Sequence, residues 1–285
     1  MRAWQIKNCR INLRISFTQL TSVSIQSIVI IIVTISLILL AYFALSKLWP
    51  AQKELSKLLA IGTSICGVTA IMASSSVLKS KDYEVGLAVL VVILWGSLAV
   101  FIYPVFIEWY FISDLAKGVF LGIGIHDTSQ VLAAAMVHSD LYLNNKVLEV
   151  ATITKLLRNL FLVLLIPTLV ILKNKGNNDN PKNSPLMKSI INSVPLFVLG
   201  FVTLIFFRSM IDTFYLNSEI WGNIFKVSEK ITTILFCLAL TALGASINLK
   251  KIFNQSYTPL LIGMVYSLVT FFSVCILIFI LGLNI

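Results

Sequence analysis

Asp127 lies in the stretch GVFLGIGIHDTSQVLAAAMVH, residues 118–138, and is the one acidic residue deep inside an apolar segment. A carboxylate held at the centre of a bilayer costs at least about 2.5 kcal/mol on insertion scales, so something must offset it. His126 precedes it, Thr128 and Ser129 add hydroxyl oxygens, and Gln130 lies one turn on, close enough to share a polar face. Such a group could hold a proton or a sodium ion, or position a substrate. The alternative is a structural Asp tied to a cation on a neighbouring helix. Lys155 and Arg158 could supply that cation: they are three apart and so share one helical face. The charge-free run beyond them, Asn159 to Leu172, is fourteen residues and too short to cross unaided. Both therefore read as buried rather than snorkelling to the surface. They would either neutralise Asp127 or coordinate an anion, the planar guanidinium being suited to an oxyanion.

A second segment, IGTSICGVTAIMASSS at 61–76, repeats the design of glycine, a short polar stretch and an alanine-rich half. Glycine followed by Thr or Ser weakens a helix and offers an N-cap. The spacing predicts unwinding near Gly62 to Ser64 and a restart toward Ala73. A half-helix N-terminus inside the membrane carries bare amides and a positive dipole end, which favour an anion. Broken helices of this kind occur where they line a protein-enclosed cavity; the plainer alternative is that the small residues allow close helix packing. His138 and the aromatics Trp49, Trp109, Tyr110 and Trp221 read as interfacial residues. Pro104, Pro167 and Pro195 read as kinks.

The elements that must carry these residues follow from composition. Of 285 residues, 58% are hydrophobic and 12% charged, with a mean hydropathy of +0.94, where a globular chain has about 25% charged residues. An all-α polytopic membrane protein of about eight segments is expected, two of them discontinuous, in an inverted-repeat, transporter-like arrangement. Segments are predicted near 23–46, 57–78, 85–108, 116–138, 149–172, 189–208, 227–249 and 256–282. They form one transmembrane domain over residues 1–285: five segments in 1–172, a polar linker KNKGNNDNPKNSP at 173–185, and three segments in 186–285. The first apolar run outlasts the roughly 7 to 15 residues of a signal h-region, so it is read as retained. If every segment crosses, the Lys and Arg residues between them divide ten against ten, so orientation stays open. The tie suggests that one segment does not simply cross or that an upstream one is missing.

The net charge of +10 comes from Lys and Arg lying mostly between apolar runs. They read as anchors to the lipid bilayer, and no nucleic acid is expected. Cys9, Cys66, Cys237 and Cys275 have no paired spacing, so neither a disulfide framework nor a metal site is expected. No cofactor and no catalytic residue is assigned. An intramembrane enzyme using Asp127 and His126 is the alternative to a transporter, but it lacks a second intramembrane carboxylate and a Gly-x-Ser-x-Gly elbow. A non-transporting membrane scaffold or remnant is a third reading.

The runs GTSICGVTAIMAS (62–74), VFIYPV (100–105), GVFLGIGIHDTSQVLAAA (118–135), TKLLRN (154–159) and LTALGASINLKKI (240–252) resemble, in that order, the YeiH-like sulfate exporter family. The resemblance covers most of the chain from about Leu13. It implies a multi-pass bacterial inner-membrane protein whose fold is related to the cation/proton antiporters and bile-acid symporters, with inverted repeats and broken, crossing helices. It also implies export of sulfate or a related anion. Ser64, Ile65, Cys66 and Gly67 match the family's Ser-Ile-Cys-Gly motif; His126 and Gln130 match its polar seventh-segment motif, and Lys155 and Arg158 its Lys and Arg pair. The candidate substrate site is therefore Thr63, Ser64, Cys66, Gly67, His126, Gln130, Lys155 and Arg158, with Asp127, Thr128 and Ser129 as the ion-coupling group. The expected partners are a small anionic solute and a proton or sodium ion. Where the family has His-Glu this chain has His126-Asp127, a shorter carboxylate. Members also carry about three helices before the region matching LRISFTQL (13–20), so either the true start lies upstream, a second copy supplies the missing surface in a homo-oligomer, or the chain is a degenerate relative.

Overall fold

The computed structural model describes residues 25–176 and 257–284, with isolated helical positions at Thr203, Val227, Ile231 and Ile234. The chain divides into two compact units, Met1–Ser193 with Tyr257–Ile285, and Val194–Ser256; the continuous described stretches all lie in the first. Its helices, in order, are α1 (Ile25–Leu48), α2 (Lys53–Ser64), α3 (Val68–Leu78), α4 (Asp82–Tyr110), α5 (Asp114–Gly124), α6 (Thr128–Tyr142), α7 (Asn145–Gly176) and α8 (Thr258–Ile280). Helix is the only regular structure among the described residues, as a bilayer-spanning chain that pairs its own backbone requires. Among the described residues four helices are long and apolar enough to cross a membrane: α1, α4, α7 over Asn145–Leu169, and α8.

Three contacts show the directions of five of these helices. At one end of the unit, the Gln26 Nε2 at the start of α1 donates to the Leu281 carbonyl just past α8 (3.1 Å). The Ile112 amide beyond α4 donates to Asn284 Oδ1 (2.8 Å) at that same end, and Asn144 Nδ2, just before α7, reaches Asp114 Oδ1 at the start of α5 (2.7 Å). Thus α4 and α8 arrive at this end, while α1, α5 and α7 leave it.

Both broken segments double back instead of crossing. In the first, α2 stops at Ser64, three residues turn, and α3 returns toward the end where α2 began. Ala70 and Ala73 of α3 pack with Leu162 and Ile166 of α7, and Leu78 with the same cluster near Leu169. Gly67 makes the turn: its φ of +64° is a left-handed conformation that a side chain resists, and its amide reaches back to the Gly62 carbonyl (2.9 Å). Thr63, Ser64 and Ser74 turn their hydroxyls onto carbonyls three or four residues back (2.7–3.3 Å), so they satisfy themselves inside the apolar hairpin. The break lies at 65–67, later than the expected unwinding at 62–64, and α3 restarts at once instead of toward Ala73.

In the second hairpin α5 runs inward to Gly124, residues 125–127 turn, and α6 comes back, its end joined to the start of α7 by Leu143 in the left-handed region (φ 54°). Here α5 lies against the first half of α7. A Cβ on Gly118 would fall 2.5 Å from Val150 Cβ, and one on Gly122 2.7 Å from Thr154 Cβ, so both positions admit glycine alone at this separation. Tyr103, Phe106, Phe111, Phe120 and Phe271 stack around the outer part of this hairpin, with ring centroids 5.0–6.3 Å apart.

With both segments turning back, Lys79 and Lys81 lie at the same end as Lys47, Lys53 and Lys57, which a count of eight crossings had placed opposite. The expected segments at 189–208 and 227–249, and with them Pro195 and Trp221, lie outside the described residues. Pro104 and Pro167 are inside α4 and α7. The first four residues of the expected linker are helical, because α7 continues through Gly176; its remainder is outside the described residues. Trp109 is 86% exposed at the end of α4, as a belt residue should be.

This topology predicts that single cysteines at Lys53 and Lys81 react with a membrane-impermeant maleimide from one side of the membrane, and a cysteine at Asn144 from the other. Labelling of positions 53 and 81 from opposite faces would mean that the first hairpin crosses.

Candidate functional site

The two hairpin tips meet. Gly67 of the first lies so close to the second that a Cβ there would stand 3.2 Å from Asp127 Cα and 3.3 Å from the His126 carbonyl oxygen. Each tip presents two kinds of helix end. The C-terminal ends of α2 and α5 expose backbone carbonyls with no partner inside their own helix, and the N-terminal ends of α3 and α6 expose amides.

The carbonyl ends are closed by α7. Lys155 Nζ donates to the carbonyls of Ile65 (3.1 Å), Ile125 (2.9 Å) and His126 (2.5 Å). Three carbonyl acceptors call for three N–H donors, which the ammonium form has. Arg158 donates through Nε to Ser64 (2.8 Å), through Nη1 to Ile123 (2.5 Å) and Ile125 (3.4 Å), and through Nη2 to Thr63. Both side chains have zero exposure. The expected shared face of Lys155 and Arg158 is thus correct, but their partners are neither Asp127 nor an open cavity. Among the described residues the ion pairs are Lys57–Glu54, Lys117–Glu108 and His138–Glu108. Asp127 is buried and serves as the N-cap of α6, accepting from the Ser129 amide (3.0 Å) and the Ser129 hydroxyl.

The other expected site residues are distributed around the tips. His126 is buried, with Nε2 2.8 Å from Ser267 Oγ on α8. Gln130 turns to α4, its amide donating to the Ile93 carbonyl (3.0 Å) and Ser97 Oγ (3.2 Å). The polar face expected to join His126 and Gln130 is therefore not formed. Thr128 Oγ1 accepts from Asn159 Nδ2 (3.2 Å). Thr63, Ser64 and Cys66 are buried at the end of α2, contributing backbone oxygens at 63 and 64 instead of side chains to Arg158. Thr69 and Ser129, one or two residues into α3 and α6, are exposed. The exposed side chains of the site thus lie in the first turns of α3 and α6. The start of α6 carries Asp127, whereas the start of α3 has Gly67 and no side-chain cap. That leaves α3 the end that favours an anion.

Sequence reasoning missed three groups. Asn159 was within reach, in the TKLLRN run. Ser267 carries no local signal. The third, Glu108, terminates an apolar run and accepts from Lys117 Nζ (2.6 Å) and pairs with His138 Nε2 (3.0 Å). His138 is fully buried within the protein, against the mouth of the second hairpin. Cys66 and Cys275 are free and buried. Among the described residues no group of three His, Cys, Asp or Glu side chains could hold a metal ion.

A family model described as Conserved hypothetical protein 698 matches residues 11–263. A UPF0324 membrane protein of Streptococcus agalactiae serotype V is 30% identical over 249 residues, covering 87% of this chain and 71% of the relative. One of Streptococcus pyogenes serotype M3 is 31% identical over 253 residues, 88% and 72% of the two chains, and one of Streptococcus pneumoniae is 29% identical over 251 residues, again 88% and 72%. No solved structure matches.

Gly67→Ala should lower the thermal midpoint of the purified protein, because the left-handed backbone alone costs about 1–3 kcal/mol for a residue with a side chain, and the added methyl meets the Asp127 backbone. An unchanged midpoint would show that the tips do not touch at this residue.

Proposed function

The chain belongs to the family of UPF0324 membrane proteins, multi-pass proteins of bacterial membranes, and from that premise we propose that it is a secondary transporter for a small anion. Sulfate, or a related oxyanion or organosulfonate, is the substrate class, moved outward across the plasma membrane. One observation carries the reading: two hairpins enter from opposite ends and meet, with their carbonyl ends closed by fixed cations and exposed side chains in the first turns of α3 and α6. A helix interrupted at this depth is costly unless the break serves a polar solute. The uncapped start of α3, with the Thr69 hydroxyl beside it, supplies donors to an oxyanion, and Lys155 and Arg158 hold positive charge behind it. Asp127, with Thr128 and Ser129, is the group for the coupling ion. Asp127 sits at the start of α6 with its backbone and Cβ against Gly67, so its charge state acts on an anion at α3. Catalysis is poorly provisioned, since the Asp127 carboxylate is engaged as a cap and His126 is directed away from it to Ser267.

In liposomes loaded with radiolabelled sulfate, sulfite or an organosulfonate, the wild-type protein should release at least one of them, and an imposed proton gradient should change the rate. Asp127→Asn keeps the cap, because Asn caps as well as Asp, but removes the charge; flux should fall by about tenfold or more, at unchanged stability. Thr69→Val should weaken substrate affinity. Wild-type flux in both variants would remove this site from the transport path.

A further inference from the structure

We propose that the Lys155 ammonium is the resident occupant of a cation-binding cage formed by both hairpin tips, and that truncating it uncovers a site for a small monovalent cation such as sodium. The cage is built from backbone oxygens of two separate broken ends, Ile65 from the first hairpin and Ile125 and His126 from the second. All three converge on one point at 2.5–3.1 Å. They are hard oxygen donors of the kind that alkali and alkaline-earth ions select, and unwound carbonyls at half-helix C-termini are the groups that hold sodium in interrupted-helix transporters. Negative potential is concentrated there, since each half-helix C-terminus carries about half a negative charge; among the described residues no carboxylate lies within ion-pair distance of the lysine, so its direct contacts are these oxygens. Arg158 takes the carbonyls of Thr63, Ser64 and Ile123 and shares Ile125, closing the remainder of the same surface.

A sodium site normally empties and fills; this one is filled covalently. The lysine stem reaches it from α7, whose register against α5 is fixed by the close approach at Gly118 and Gly122. The native cage therefore has no vacancy for sodium. Lys155→Ala removes the ammonium and its stem, leaving three inward carbonyls and a space that water and one ion can share. Lys155→Met removes the charge but fills the stem's volume, so it leaves the same carbonyls bare with no room for an ion. The assignment is independent of the transport reading, because its readout is stability.

The test compares thermal midpoints of wild type, Lys155→Ala and Lys155→Met in sodium chloride and in choline chloride at equal ionic strength. Wild type should melt at the same temperature in both salts. Lys155→Ala should melt lower in choline and be raised by sodium in a saturable, concentration-dependent way. Lys155→Met should be low in both. Should Lys155→Ala not survive extraction, limited proteolysis in membrane vesicles in the same two salts reads the same contrast. Equal instability of Lys155→Ala in sodium and choline, or stabilisation of the wild type by sodium, would overturn the proposal.

Discussion

Six backbone carbonyls, those of Thr63, Ser64, Ile65, Ile123, Ile125 and His126, are buried at the ends of broken helices, and two cations on one neighbouring helix donate to every one of them. In hydrocarbon an unpaired peptide group costs several kcal/mol, and a helix end leaves up to four such carbonyls. Two re-entrant tips without donors would not persist. An ammonium and a guanidinium together offer eight N–H donors, enough to close both ends from one side, and a hydrogen bond to a charged group is worth about 1.5–3 kcal/mol. The same bonds hold the cations: a buried charge without compensation would be worse than either open carbonyl end. The tips and the Lys–Arg pair thus require each other.

Charge at the tips is close to balanced. Two half-helix C-termini contribute together about one negative charge, Asp127 contributes another, and Lys155 and Arg158 offset them. The remaining fields are the positive starts of α3 and α6, one of which Asp127 already occupies. Were α3 to receive a solute anion, as proposed, an added positive charge at Asp127 would favour it and be favoured by it. The helix α8 adds a link between the hairpins through adjacent residues: Tyr266 Oη is 2.7 Å from Ser56 Oγ of α2, and Ser267 Oγ meets His126.

Much of this was legible in the chain. Gly-Thr-Ser and Gly-Ile-His-Asp mark both breaks because glycine and capping residues act locally, within the turn they occupy. The three-residue spacing of Lys155 and Arg158 marks their common face for the same reason. What sequence could not give is direction. Nothing in residues 65–67 distinguishes a kink that continues through the membrane from one that returns, since the choice is made by packing of Ala70 and Ala73 on the distant Leu162 and Ile166. The even Lys and Arg count was the one trace of it. The partners of the buried cations were misjudged because reasoning from side chains looked for a carboxylate, whereas the acceptors are main-chain oxygens that every residue type carries. The burial of His138 was not legible because its partner, Glu108, is thirty residues away on another helix.

The two hairpins are held unequally, and this bears on which of them can shift. The second is pinned at its tip by Lys155 and Arg158 and again at its mouth, where Glu108 of α4 bridges Lys117 of α5 and His138 of α6. Lys117 and His138 are buried there, and Asn144 ties to Asp114 beside them. Breaking that bridge would strand a buried ammonium. The first hairpin shares the tip bonds, but farther out its described polar ties are the Ser56–Tyr266 contact and the half-exposed Lys57–Glu54 pair, which lies within α2 and contributes little. Its return limb, α3, is held to α7 by apolar packing, which tolerates sliding better than a fixed hydrogen-bond geometry does. Displacing α3 parts Ala70 and Ala73 from α7, whereas displacing either limb of the second hairpin breaks the Glu108 bridge.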